Sequence, residues 1–229
     1  MFDFFRKPIF LIIMAAALIV AGIWAYVSNR KSQTAATTTS TTSTTATTTT
    51  TDTTADISNL TNIDPAVVND AINAQLTLAD AKAAEVDKKL VLSAIEVDLP
   101  GALERGSGIS YYIYTTTGDK NNNWVIGISN ADSKFVRSWT SKADYMTGVT
   151  AINRSNLKKN YVAAIQSAEK GEGKIFREAG TLTAAKLILK NADPNNWLYW
   201  FVEYDASANQ KQFKVDASTG ALVTDSSNL

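Results

Sequence analysis

The spacing of apolar residues divides the chain into three kinds of segment. Residues 8 to 27, "PIFLIIMAAALIVAGIWAYV", form an uncharged apolar run of 20 residues, which as a helix at about 1.5 Å per residue would span the apolar core of a bilayer. Residues 34 to 54 contain no large apolar residue. From residue 56 onward, apolar positions recur at helical spacing and then at strand spacing, and this order occurs twice.

The first two segments predict an anchor and a linker. No small-x-small cleavage site follows the apolar run, which favours an uncleaved transmembrane anchor over a signal peptide. Fifteen threonines in the 21 residues from 34 to 54 indicate a disordered spacer of the kind found in extracellular stalks. A spacer directly after an anchor predicts a single-pass protein with a cytoplasmic tip and anchor (1–31), a linker (32–57) and an extracytoplasmic remainder.

Each predicted repeat begins with a helix. Asp64 is expected to cap the first helix, with Pro65 at its first position. The second helix is expected to begin after Ser155 and to stop at Gly171. Apolar residues at helical spacing form one stripe on the first helix and a shorter one on the second: Val68, Ile72, Leu76, Ala79, Ala83 and Val86, then Leu157, Tyr161, Ile165 and Ala168.

Strand patterns follow each helix. They cover "LVLSAIEVDL", "ISYYIYTT", "NWVIGIS" and "KFVRSW" in the first repeat, and "IFREAGTLTAAKLILK", "WLYWFVEYD", "KQFKVD" and "ALVT" in the second. An ungapped shift of 87 places residues 111–136 on 198–223, and the same shift is expected to relate the helices. The sequence therefore predicts an α+β fold with two repeats, 58–147 and 148–229, each one helix packed on an antiparallel sheet of three to four strands.

The strand at "WLYWFVEYD" is apolar on both faces. Leu198, Trp200, Val202 and Tyr204 share one face, which can pack under the helix of the repeat. Trp197, Tyr199 and Phe201 lie on the other face, ahead of Glu203 and Asp205. Three covers for this second face remain open: the companion repeat, which we favour, a helix from elsewhere, or a partner.

The amino-acid composition excludes several kinds of catalytic and binding site. The chain has no cysteine and no histidine, which excludes disulfides, thiolate nucleophiles and histidine-based relays. Basic and acidic residues are equal in number and well mixed, which argues against nucleic-acid binding. Glu203, Asp205 and Asp216 lack the spacing of a calcium loop. We predict no catalytic, cofactor-binding or metal-binding residues, and no cofactor.

The closing segment "FKVDASTGALV" resembles the end of a PepSY repeat, in which a strand runs into an Asp-x-x-x-Gly turn. Asp216 and Gly220 match that turn, and "WLYWFVEYD" resembles the long central strand of the family. Ser129 and Ser133 stand at the corresponding positions of the first repeat. The layout is similar to membrane-anchored tandem PepSY proteins of Gram-positive bacteria, whose repeats are cystatin-like. The resemblance implies cell-wall elongation and contact with penicillin-binding proteins, and it implies no catalytic residues.

These observations predict a non-catalytic, membrane-anchored protein that binds and modulates a cell-envelope enzyme, such as a penicillin-binding protein. Its candidate interaction surface is Trp197, Tyr199, Phe201 and Trp124. A cell-wall glycan-binding module using Trp197, Tyr199 and Trp124 is the first alternative. An inhibitor of an extracellular protease is the second alternative, because PepSY segments also occur in peptidase pro-regions.

Overall fold

The computed structural model describes residues 59–225, except 117–118, 142–145, 147, 193–195 and 208. The predicted anchor and linker lie outside these residues. Within the described part, neither the longest helix nor the shorter ones are long and apolar enough to cross a membrane. The described residues form an α+β structure, as the sequence predicts.

Eight antiparallel strands form one sheet. The strands are β1 (Leu90–Pro100), β2 (Ile109–Thr116), β3 (Asp119–Ser129), β4 (Phe135–Ser141), β5 (Leu182–Ala192), β6 (Trp197–Ala206), β7 (Asn209–Asp216) and β8 (Leu222–Asp225). Their order across the sheet is β4-β3-β2-β1-β5-β6-β7-β8. Each half is a meander of consecutive strands, and the halves join edge to edge through β1 and β5.

This join corrects one expectation. We favoured the companion repeat as the cover over the second face of β6, but the halves lie side by side in one sheet rather than face to face. The physical reason is backbone pairing, because β1 and β5 each fill the open edge of the other through a ladder from Ala94↔Lys190 to Pro100↔Ala184.

The first helix begins as the sequence predicts. Asp64 accepts a hydrogen bond from the Ala66 amide at 2.9 Å, and a 3₁₀ turn over Pro65–Val68 leads into helix α1 (Asn69–Val86). Val68, Ala79 and Ala83 of the predicted stripe are buried, whereas Ile72 and Leu76 are only partly buried. Val86, the last residue of α1, is exposed.

The second helix differs from the prediction at both ends. Asn160, not Ser155, caps helix α2 (Tyr161–Ala168) by accepting a hydrogen bond from the Ala163 amide. Ser155 instead lies in a 3₁₀ turn, Arg154–Asn156. The helix stops before Gly171 as expected, but after the turn Glu169–Gly173 the chain forms helix α3 (Lys174–Ala179), where we predicted the start of a strand.

Both α1 and α2 lie on one face of the sheet, here called the helix face. A single apolar core there unites residues of both helices with β1, β2, β3, β5, β6 and β7. The four β6 residues predicted to pack under the helix, Leu198, Trp200, Val202 and Tyr204, all belong to this core. On the other face, here called the outer face, a smaller cluster gathers Ala94, Tyr111, Ile113, Val125 and Val149.

The ungapped shift of 87 does not hold in the structure. Tyr112 pairs with Ile126, so the shift would pair Tyr199 with Phe213, but Tyr199 pairs with Asp216. The helices are related by a larger offset, since α1 begins at Asn69 and α2 at Tyr161. Hydrophobic alternation did not reveal this slip of three residues, because β6 is apolar on both faces and so accepts Tyr112 of the helix face at the position of Tyr199 on the other face.

The predicted Asp-x-x-x-Gly turn is confirmed. Asp216 accepts hydrogen bonds from the amides of Ser218 and Thr219, and Gly220 has φ of 78°. The first half forms the same turn without glycine. Ser133 has φ of 54°, and its amide donates to the Ser129 carbonyl as that of Gly220 donates to Asp216.

Candidate functional site

The structure separates the four residues of the predicted interaction surface. Trp197, Tyr199 and Phe201 lie on the outer face, whereas Trp124 packs against the core of the helix face, in the other half. Trp197 is 55% exposed, but Tyr199 is only 4% exposed. The four side chains therefore do not form one aromatic platform.

Lysine side chains cover the aromatic residues of β6. Lys214 lies over the ring of Tyr199, with Nζ 4.1 Å from the ring centroid, and Lys190 lies over the ring of Phe201 at 5.1 Å. The aliphatic stems shield the rings while the ammonium groups meet their faces. The second face of β6 is thus covered from within its own half, an arrangement not among the three we considered.

A concave site lies on the helix face, between α1 and the segment that leads into α2. We call it the α1 groove; its cavity volume is about 450 Å³. One wall is a single stripe of α1, from Asn69 to Asp80, about 16 Å long at 1.5 Å per residue. The other wall is Arg154, Leu157, Lys158, Asn160 and Tyr161, and the floor is Ile95, Val97, Ser110, Tyr112 and Trp200.

The groove exists because α1 is only partly covered. Ile72 and Leu76 belong to the predicted apolar stripe, yet they line the groove instead of being fully buried. The second half brings only a short helix to this side, and the α2 contacts with the sheet are to β6 and β7. An apolar stripe that the fold leaves open is available to a ligand.

One end of the groove is closed by an ion pair. Arg154 binds Asp80 in a bidentate manner, with Nη1 2.7 Å from Oδ2 and Nη2 2.6 Å from Oδ1. The Tyr114 hydroxyl donates to Asp80 Oδ1 at 2.7 Å. Asp80 and Arg154 also line a second cavity of about 320 Å³ beside the start of β1, so the pair stands between the two spaces.

This arrangement keeps Asp80 ionised. Burial alone would raise its pKa, but the hydrogen bonds from Arg154 and Tyr114, with the charge of Arg154, outweigh burial and hold the pKa below its ordinary value. Burial raises the pKa of Tyr114 far above its usual range, and the hydrogen bond to Asp80 raises it further. Asp80 is therefore an ionised acceptor of three hydrogen bonds that tie α1 to β2 and to Arg154.

The floor of the groove is held by hydrogen bonds. The Tyr112 hydroxyl donates to Gln75 Oε1 at 2.9 Å, and Trp200 Nε1 donates to the Lys159 carbonyl at 2.8 Å. These bonds fix the floor side chains, so the groove is a preformed surface. No group of three or more metal-binding side chains occurs in the part of the chain that the structure describes.

Sequence reasoning missed the polar residues of the groove. Asn69, Asn73 and Asp80 could have drawn notice, because with Ile72 and Leu76 they put a mixed stripe on one face of α1. Arg154 and Lys158 gave no such signal, since only the edge-to-edge join brings them opposite α1.

Comparison with known proteins gives little further guidance. No protein-family model matches the chain. No curated protein matches it either. Among solved structures, the chain is similar to the crystal structure of "a putative lipoprotein" from Clostridium difficile 630, with 17% sequence identity, a TM-score of 0.44, and coverage of 73% of this chain and 97% of the other.

Proposed function

We propose that the protein is a non-catalytic binding protein that is anchored in the cell membrane, exposes residues 58–229 outside the cytoplasm, and modulates a cell-envelope enzyme. The observation that carries this proposal is the α1 groove, a preformed cavity of about 450 Å³ along an incompletely covered helix. Its one carboxylate, on Asp80, is already engaged by Arg154 and Tyr114, which suits a binding surface better than a reaction centre.

The tandem PepSY assignment is part of this proposal. It is supported by the order of a helical segment followed by four antiparallel strands in each half, and by the turn geometry at Asp216 and Gly220. On that assignment the enzyme is one of cell-wall synthesis, of which a penicillin-binding protein is the leading candidate. The apolar run at residues 8–27 supplies the anchor, and the threonine-rich linker places the groove away from the bilayer.

The glycan-binding alternative has less support. It needs aromatic rings whose faces are open for stacking, but Tyr199 lies under Lys214, and Trp124 packs against the core of the helix face. Of its three residues, Trp197 alone presents a large exposed area.

Site-specific photocrosslinking in the native membrane tests the proposal. A photoreactive amino acid at Asn73 lies on the groove wall, whereas one at Ala74 lies on the exposed side of the same helix, outside the groove lining. We expect Asn73 but not Ala74 to capture one wall-synthesis enzyme, and the purified protein to change the rate of that enzyme. Equal capture from both positions, or an unchanged rate, would refute the proposal.

A further inference from the structure

The α1 groove offers hydrogen-bond donors that the protein leaves unused. Tyr161 lines the groove and is only 7% exposed, yet within the described residues its hydroxyl makes no hydrogen bond. The ring is buried, but the hydroxyl oxygen itself reaches solvent, since it is not among the buried side-chain atoms of the described residues that lack a partner. The hydroxyl is therefore able to donate a hydrogen bond to an acceptor on a ligand in the groove.

Two further groups on the walls share this property. Lys158 is exposed on the wall opposite α1 and takes part in no ion pair within the described part of the chain. Asn73 faces it from α1, also without a side-chain hydrogen bond among the described residues. The groove thus has one uncompensated positive charge, since Asp80 already neutralises Arg154.

The same walls are apolar between these groups. Ile72 and Leu76 of α1 face Leu157, so a ligand that fills the groove must bring apolar groups as well as acceptors. A fatty acid would satisfy Lys158 but would leave Asn73 and Tyr161 without partners. A sugar would need ring faces for stacking, but the aromatic residues of the lining are more than nine-tenths buried.

We infer that the α1 groove binds an extended peptide segment that carries a carboxylate. The carboxylate pairs with Lys158, a backbone carbonyl accepts from the Tyr161 hydroxyl, and apolar side chains pack on Ile72 and Leu76. The 16 Å wall accommodates about five residues at roughly 3.3 Å each. This inference rests on the proposed function, in that it names the chemistry of the partner segment at the same site.

Two fluorescein-labelled hexapeptides test the inference on the full-length protein in nanodiscs. Both alternate leucine and serine, and they differ at one position, which is glutamate in one and glutamine in the other. By fluorescence polarisation the glutamate peptide should bind about tenfold more tightly, as expected for one charge-assisted hydrogen bond. Lys158→Gln should abolish that preference, whereas the matched control Lys88→Gln, exposed and outside the groove, should keep it.

The hydroxyl is tested separately. Tyr161→Phe keeps the ring and should weaken both peptides by about fivefold, the effect of one neutral hydrogen bond. Tyr111→Phe removes a hydroxyl on the outer face and should leave both affinities unchanged. The inference is wrong if the peptides bind equally, if Lys158→Gln retains the preference, or if decanoate binds the groove and neither peptide does.

The outcomes also separate this inference from the proposed function. If Asn73 captures a wall-synthesis enzyme but Lys158→Gln leaves that capture and the peptide affinities unchanged, the proposed function stands and the carboxylate assignment falls. If the glutamate peptide binds through Lys158 but no enzyme is captured or modulated, the peptide site stands and the proposed function falls.

Discussion

The two halves of the sheet contain the same hydrogen-bonded motif, but the motif has a different role in each half. In each half a buried tyrosine of the second strand donates to a helix carboxylate that also binds an arginine: Tyr114, Asp80 and Arg154 in the first, Tyr204, Glu169 and Arg177 in the second. Arg177 comes from the same half, eight residues beyond Glu169, whereas Arg154 is 74 residues from Asp80.

The surroundings of the two motifs differ accordingly. The side chains of Glu169 and Arg177 are 10% and 27% exposed, and those of Asp80 and Arg154 are 40% and 45% exposed. The second motif joins the end of α2 and helix α3 to strand β6, and the first closes one end of the α1 groove. A repeated motif can thus be an internal support in one copy and part of a binding surface in the other.

The largest expected effect is at the buried motif. Glu169→Ala leaves Arg177 and the Tyr204 hydroxyl without their acceptor, and breaking a buried pair in this way should cost about 3 kcal/mol of unfolding free energy. Asp80→Ala should cost about 1 kcal/mol, because water replaces the lost partner. Urea unfolding of the full-length variants measures both, with Asp70→Ala, an exposed residue of α1 outside both motifs, as the control. Equal losses at Glu169 and Asp80 would contradict the comparison.

Double-mutant cycles should reveal the same difference in coupling. Tyr204→Phe combined with Glu169→Gln should give a coupling of about 2 kcal/mol, because the hydrogen bond is buried and charge-assisted. Tyr114→Phe combined with Asp80→Asn should give about 1 kcal/mol, since the Asp80 side chain is more exposed. A larger coupling energy for Tyr114 with Asp80 than for Tyr204 with Glu169 would show that side-chain exposure does not determine these energies.

The paired turns should respond in opposite directions. Gly220→Ala places a side chain at φ of 78° and should lower the unfolding free energy by about 1 kcal/mol. Crowding is not the cause, because the nearest atom to an added Cβ would be a Lys159 carbon at 3.5 Å. Ser133→Gly should raise the unfolding free energy by about 0.5 kcal/mol, because glycine adopts the positive φ of 54° with less strain than serine. A loss in the Ser133→Gly variant would show that Ser133 is not strained.

The smallest effect is a pH dependence at the groove. The pKa of Asp80 is lowered in the folded state, so its contribution to stability is full above its ordinary value near pH 4 and is lost as pH falls through the lowered value. Asp80→Asn should therefore be less stable than the wild type at pH 6, and the difference should vanish in stronger acid. Urea midpoints from pH 7 to pH 2.5 measure it, and a difference independent of pH would rule out this role for the Asp80 charge.

Local sequence patterns were sufficient for most elements. The strand ISYYIYTT forms over the same residues as predicted, and the Asp64 cap and the Gly220 turn follow from side-chain chemistry that acts within four residues. The side of β6 that faces the core was also predicted correctly, because side-chain alternation places Trp200 and Tyr204 on the same side of the strand. The helix over residues 174–179 was not predicted, because the apolar pair Ile175 and Phe176 does not distinguish a short helix from a strand.

The sequence by itself determined the composition of the two halves, the order of their elements and the side of each strand that faces the core, because these depend on neighbours along the chain. Only the tertiary structure decided how the halves meet. Pairing of β1 with β5 puts Lys158 and Arg154 opposite α1 and leaves Ile72 and Leu76 partly open. Such contacts join residues more than 70 positions apart, and no periodicity along a single chain encodes which of the open edges will pair.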